Sequence, residues 1–204
     1  MLHGMSASGQ ESCDRDWRCS KVQLPLTQMT PSARRFLDAW CGWRGSRLLP
    51  RRADIQLVDI KDLLPMVTLI EIRSASEMVF RVAGSELRDY FGADITGGNY
   101  VDMEPAQSRP QSVWRMTQEI GRPCGALVVC PYPLSWGFTV LMETVSLPID
   151  PDHPSKPRMM LSLMTRLESR AGGALPDGAL RLSVSGAFGF IDIGAGVPDR
   201  TEPD

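Results

Sequence analysis

The chain has 204 residues, room for one domain of ordinary size with some tail, and 43% of them are hydrophobic, enough for a core. Its 22 basic and 24 acidic side chains leave a formal charge of −2, and no lysine–arginine stripe runs through it, so nucleic acid is not an expected partner. No apolar run reaches the roughly 18 residues of a membrane span, and the opening MLHGMSASGQESCDRDWRCS is polar where a secretory signal would be apolar; a soluble cytoplasmic protein is expected.

Residues 1–30 lack periodicity and read as a flexible arm. Thr30, Pro31 and Ser32 then make a helix start, a hydroxyl to cap free N–H groups and a proline tolerated in the first turn. Ala33, Phe36, Leu37, Trp40 and Trp43 follow at the spacing of one helical face, which Gly42 and Gly45 end. Such a stripe must pack on its own domain or on a second copy; Phe36, Leu37, Trp40 and Trp43 are the candidate homodimer interface. After the basic loop RGSRLLPRR, Asp59 is a candidate cap for a short helix containing Ile60, Leu63 and Leu64 and ended by Pro65.

Residues 66–73 and 78–83 are strand-like and joined by SASE, which predicts a hairpin. Alternation places Phe80 and Val82 on one face of the second strand and Val79 and Arg81 on the wetter one. Gly84 stops that strand, and Ser85 can cap a short helix with Leu87, Tyr90 and Phe91 at i, i+3 and i+4, so that these aromatics converge with Phe80 on one side of a sheet. Gly92, Gly97 and Gly98 mark tight turns. Residues 108–120 predict a longer helix with Val113, Met116, Thr117 and Ile120 on a stripe and Trp114 beside it, ended by Gly121 and Pro123. Three strands are expected at 124–131, 137–147 and 158–168; in the middle one the apolar set changes sides after Met142. Within 169–204, RAGGALPDGA reads as a linker, and LRLSVSGAFGFIDIGAGVPD as a segment that adds an edge strand or docks on the domain. Strands gathered around a cluster of helices predict an α+β domain over 31–168, with a partly ordered extension over 169–204.

Chemistry-bearing motifs are sparse. Cys13, Cys19, Cys41, Cys124 and Cys130 form no CxxC pair, and the histidines are His3 and His153, which does not suit a metal site. No GxSxG, GxGxxG or GK[ST] occurs, and Asp89, Asp94, Asp102 and Glu104 fall in turns where carboxylates cap backbone, so no enzyme is expected. Arg47 and Arg51 fit the RxxxR element by which PilZ domains hold cyclic di-GMP, without the D/NxSxxG stretch that completes it.

Three stretches, FLDAW with GSRLLPRRADIQLVDIKDLLPMVTLIEI, FRVAGSELRDYFGADITGGNYVDM, and VLMETVSLPI, resemble a bacterial PAS-domain family, PAS5 or DUF1457-like, across about residues 34–167. The chain departs from that family near its end, where Ile193 stands between Asp192 and Gly194 in place of an Asp-Gly-Gly. The resemblance implies a five-stranded antiparallel sheet with short helices over one face, cupping a pocket. Its candidate lining is Phe80, Val82, Leu87, Tyr90, Phe91, Val113, Trp114, Met142 and Met164, suited to an unidentified small apolar or aromatic ligand; the alternative is that these side chains simply fill a core. Haem and flavin are not expected cofactors: 108–121 has no histidine to serve as an axial ligand, and Ser85 to Gly121 has no cysteine for a flavin adduct. The function implied is a signalling sensor or adaptor acting through an unidentified signalling protein, because about 35 residues beyond the PAS-like part are too few for an output domain. An interaction module without ligand and, more remotely, a small metabolic enzyme are the alternatives.

Overall fold

A computed structural model describes residues 29–135, 137–153, 155–167 and 187–198. The arm expected at 1–30 lies almost wholly, and the linker RAGGALPDGA wholly, outside them. The first helix, α1 (Pro31–Arg44), begins as its sequence requires: Thr30 Oγ1 accepts from the Ala33 N–H at 3.1 Å, and Pro31 occupies the first turn. Gly42 stays inside the helix, and Gly45, at φ +56°, ends it.

The α1 stripe is buried against its own sheet. Phe36, Leu37, Trp40 and Trp43 pack with Val145, Leu147, Ile149, Leu161 and Leu163, and the Trp40 indole N–H donates to the Pro148 carbonyl at 3.0 Å. The assignment of these four residues to a dimer interface is therefore corrected: the surface they would offer is covered within the chain. Each such burial stabilises by about 1.5–3 kcal/mol, more than an exposed surface stripe could contribute to folding.

Between α1 and the sheet lie three 3-10 turns, Arg52–Asp54, Leu57–Ile60 and Leu64–Met66, in place of the one short helix expected. Asp59 does not cap; its carboxylate accepts from the Trp43 indole N–H at 2.8 Å. Pro65 sits inside the last turn, and its carbonyl explains Gly84: a Cβ there would lie 2.2 Å from the Pro65 oxygen.

The hairpin β1 (Val67–Ser74) and β2 (Glu77–Ala83) forms as expected, followed by α2 (Ser85–Phe91), α3 (Tyr100–Met103), α4 (Arg109–Gly121), β3 (Gly125–Pro133), β4 (Thr139–Ile149) and β5 (Arg158–Arg166). A sixth strand, β6 (Ala187–Ile191), comes from the C-terminal segment and pairs with β3, so the five expected strands become an antiparallel sheet ordered β2-β1-β5-β4-β3-β6. The edge-strand outcome for that segment is the one realised.

Strand register sorts the two faces. Val145, Leu147 and Ile149 point to the α1 side with Leu161 and Leu163, which leaves Met142, Thr144 and Ser146 on the concave side. The change of side after Met142 is thus real. Glu143, on the α1 side and buried, accepts from the Thr30 backbone N–H at 3.1 Å and from its hydroxyl, so a carboxylate of β4 anchors the positive end of the helix.

Candidate functional site

The concave face is roofed by α2, α3 and α4. Phe80 and Met78 from β2, Ile70 and Ile72 from β1, and Met160 from β5 form one cluster with Met116 of α4, Val101 of α3 and Ile95, against which Phe91, Tyr100 and Val113 also pack. Phe80 meets Tyr100 edge-on at 6.1 Å, and Phe91 meets Tyr132 edge-on at 5.4 Å. Leu87 and Met142 are fully buried, and Met164, opposite Thr144, is half-buried on this face.

Three members of the predicted lining are elsewhere. Val82 is 49% exposed. The pairing steps from Leu69↔Val82 to Ile70↔Phe80, so Arg81 is an extra residue in a β-bulge, and Val82 turns to the side opposite Phe80. Arg81 uses the bulge to reach Glu71, which it meets through two nitrogens at 2.8 and 2.9 Å; with Arg73 this holds the Glu71 carboxyl down to about 2. Trp114 leaves the Phe80 cluster for β6, its ring 6.5 Å from Phe188 and 5.9 Å from Phe190. Tyr90 divides from Phe91: its side chain lines a shallow surface groove with Glu86, Arg88, Asp89 and Gly92.

The turn around Tyr90 and Phe91 is fastened from the β3–β4 hairpin. Ser135 donates its backbone N–H to the Tyr90 carbonyl and its hydroxyl to the Asp89 carbonyl, both at 2.8 Å, satisfying two acceptors of the last turn of α2. Gly92, at φ +73°, ends the helix where a Cβ would stand 2.7 Å from the Ser135 Cβ. Bending this segment closes the roof onto the hairpin.

The polar interior of this face was missed in sequence. Thr68, Ser162, Ser146 and Ala126 lie on consecutive strands directly opposite one another, a buried row on the concave side. Above it, Glu119 of α4 is only 2% exposed and accepts from Ser146 Oγ at 2.6 Å. Burial pushes its carboxyl up to about 8, against the opposing pull of the Ser146 hydrogen bond and of Arg115 one helical turn away. The Arg115 guanidinium sits 4.3 Å over the Phe188 ring. Burial likewise raises the Cys124 and Cys130 thiols, which makes them poor nucleophiles.

The remaining candidates make local contacts. Asp102 accepts from Asn99 Nδ2 at 3.1 Å, Glu104 from Ser112 Oγ at 2.9 Å, and Asp94 from the Thr96 N–H at 3.0 Å. Arg47 is paired with Asp54, and His153 Nδ1 shares a hydrogen with Ser155 Oγ at 2.7 Å in an exposed turn. Among the described residues, no group of three or more His, Cys, Asp or Glu could hold a metal, and no helix is long and apolar enough to cross a membrane.

Similar solved structures include a fungal LOV domain photoreceptor (19% identity, 50% of this chain and 72% of that one, TM-score 0.40). Others are the PAS domain of BvgS from Bordetella pertussis (16%, 62% and 92%, TM-score 0.42) and VqmA of Vibrio cholerae (15%, 57% and 54%, TM-score 0.39). No curated protein matches significantly. A family model described as PAS domain matches residues 28–164, two thirds of the sequence and every strand from β1 to β4 together with nearly all of β5. The chain belongs to this PAS-domain family.

Proposed function

We propose that the chain is a signalling PAS module that acts by contact with protein partners, a second copy or another signalling protein, and not by catalysis. The observation that carries this reading is the filled concave face: Met78, Met142 and Met160 have no exposure at all, so the chain's own side chains occupy the place where a ligand would be cupped. With that face packed, partner contact falls to the outside. There α1 lies over β4 and β5 and leaves the β1–β2 part of the sheet open around Val82.

A ligand-sensing role is the second reading, favoured by the buried row Thr68–Ser162–Ser146 beneath Glu119 and by methionines able to repack. A ligand held there would present a polar group to Glu119 and Ser146, a feature not included in the small apolar or aromatic ligand expected from sequence. Native mass spectrometry of the purified chain separates the two. The partner-contact reading expects the mass of the chain or its multiples; a copurifying small molecule that is released on denaturation transfers the assignment to ligand sensing.

A further inference from the structure

The groove at the outer end of the concave face has a chemistry that neither the packed interior nor the partner-contact reading uses. Ile72 and Arg158 form the last rung between β1 and β5. Beyond it lie the β1–β2 loop and the turn before β5, which with Thr117 and Ile120 of α4 line an open groove of about 540 Å³. That volume is within the range of small-molecule sites. Ile72, buried, and Ile120, half-buried, give it an apolar floor, and Ser74 and Ser155 add hydroxyls at its sides.

Its charge is one-sided. No carboxylate lines it, while Lys156 and Arg158 do. Arg35 is paired with Asp62, Arg81 with Glu71 and Arg88 with Asp94, and Arg73 at the rim of the groove is held by Glu71 and Glu77. The side chains of Lys156 and Arg158 make no hydrogen bond or ion pair among the described residues. Two uncommitted cations above an apolar floor, in a chain whose net charge is −2, complement a molecule with an anionic head and an apolar body.

We propose that this groove binds a small amphipathic anion, its carboxylate or phosphate head on Lys156 and Arg158 and its apolar body along Ile72 and Ile120. The site is separate from the concave interior, since Met160, next on the same side of β5, is fully buried and closes the way inward. The proposal stands whether or not the interior holds a ligand.

The test is a titration of the full ¹⁵N-labelled chain, followed by NMR, with sodium octanoate, octyl phosphate, acetate and octylamine. Octanoate or octyl phosphate should saturably shift the amides of Ile72, Thr117, Ile120 and Lys156, the better of the two identifying the head group. Acetate and octylamine at equal concentration should shift none of them. The double variant Lys156→Glu, Arg158→Glu changes only exposed side chains and should weaken the binding tenfold or more. Unchanged affinity in that variant, equal binding of octylamine, or no saturable shift with either anion would overturn the proposal. Shifts centred on Glu119 and Ser146 would also overturn it, while supporting ligand sensing by the interior.

Discussion

The two faces of the one sheet each bury a glutamate, and they do so in opposite ways. Glu143, on the α1 side, receives the N–H and the hydroxyl of Thr30 at the start of a helix. Glu119, on the concave side, receives one hydroxyl, from Ser146, and its carboxyl is pushed up to about 8 by burial. A buried carboxylate is tolerated where hydrogen bonds replace its water, and otherwise it keeps its proton. The α1 face thus meets its glutamate with a helix start, and the concave face is where a buried carboxyl exchanges a proton.

The largest effect should come from the α1 face. Phe36→Ala opens a cavity between α1 and the sheet and is expected to destabilise by about 3–5 kcal/mol in denaturant unfolding; a loss below 1 kcal/mol would mean that α1 is not part of the core. Next is the concave carboxyl. Its proton affinity is higher folded than unfolded, so the folded state binds more protons between about pH 4 and pH 8, and stability falls as pH rises through that window. The contribution at stake is on the order of 2–4 kcal/mol. Glu119→Gln should flatten the decline between pH 5 and pH 8, measured by chemical unfolding at each pH; a slope identical to wild type would show that Glu119 ionises normally. Glu71 has the opposite sign: held down to about 2, it contributes stability above about pH 4 that is lost on acidification toward pH 2.

Thr30→Ala removes both the helix cap and a donor to Glu143, for an expected loss of about 1–2 kcal/mol in the same assay. Val82→Ser should be nearly silent, within about 0.5 kcal/mol, because the bulge has turned Val82 outward. A cost of 2 kcal/mol or more would return Val82 to the concave core.

The same contrast explains what could be read in the sequence. The α1 stripe, the β1–β2 hairpin, α4 and three later strands follow from local periodicity, which depends only on neighbours along the chain. The partner of the stripe does not: Phe36 and Trp40 look alike whether they face a second copy or residues 145–163 of the same chain. Val82 was misplaced because alternation assumes an unbroken pleat, and one extra residue, Arg81, reverses it. Trp114 was placed with the wrong partners because β6, which supplies Phe188 and Phe190, is separated from it by more than seventy positions. Glu119 carried a weak signal, three residues after Met116 on the same helical flank. Only the register that aligns Ser146 with Ser162 and Thr68 shows that this flank faces a buried hydroxyl row.

The claim on which the rest stands is that α1 is sealed onto the sheet of its own chain, which leaves the β1–β2 surface for partner contact. Trp40→Glu, followed together by circular dichroism and light scattering, tests it most directly. A charge introduced there would be buried beside Pro148, and the account predicts loss of the cooperative unfolding transition. A variant that folds with wild-type cooperativity, and differs only by dissociating into monomers, would contradict it.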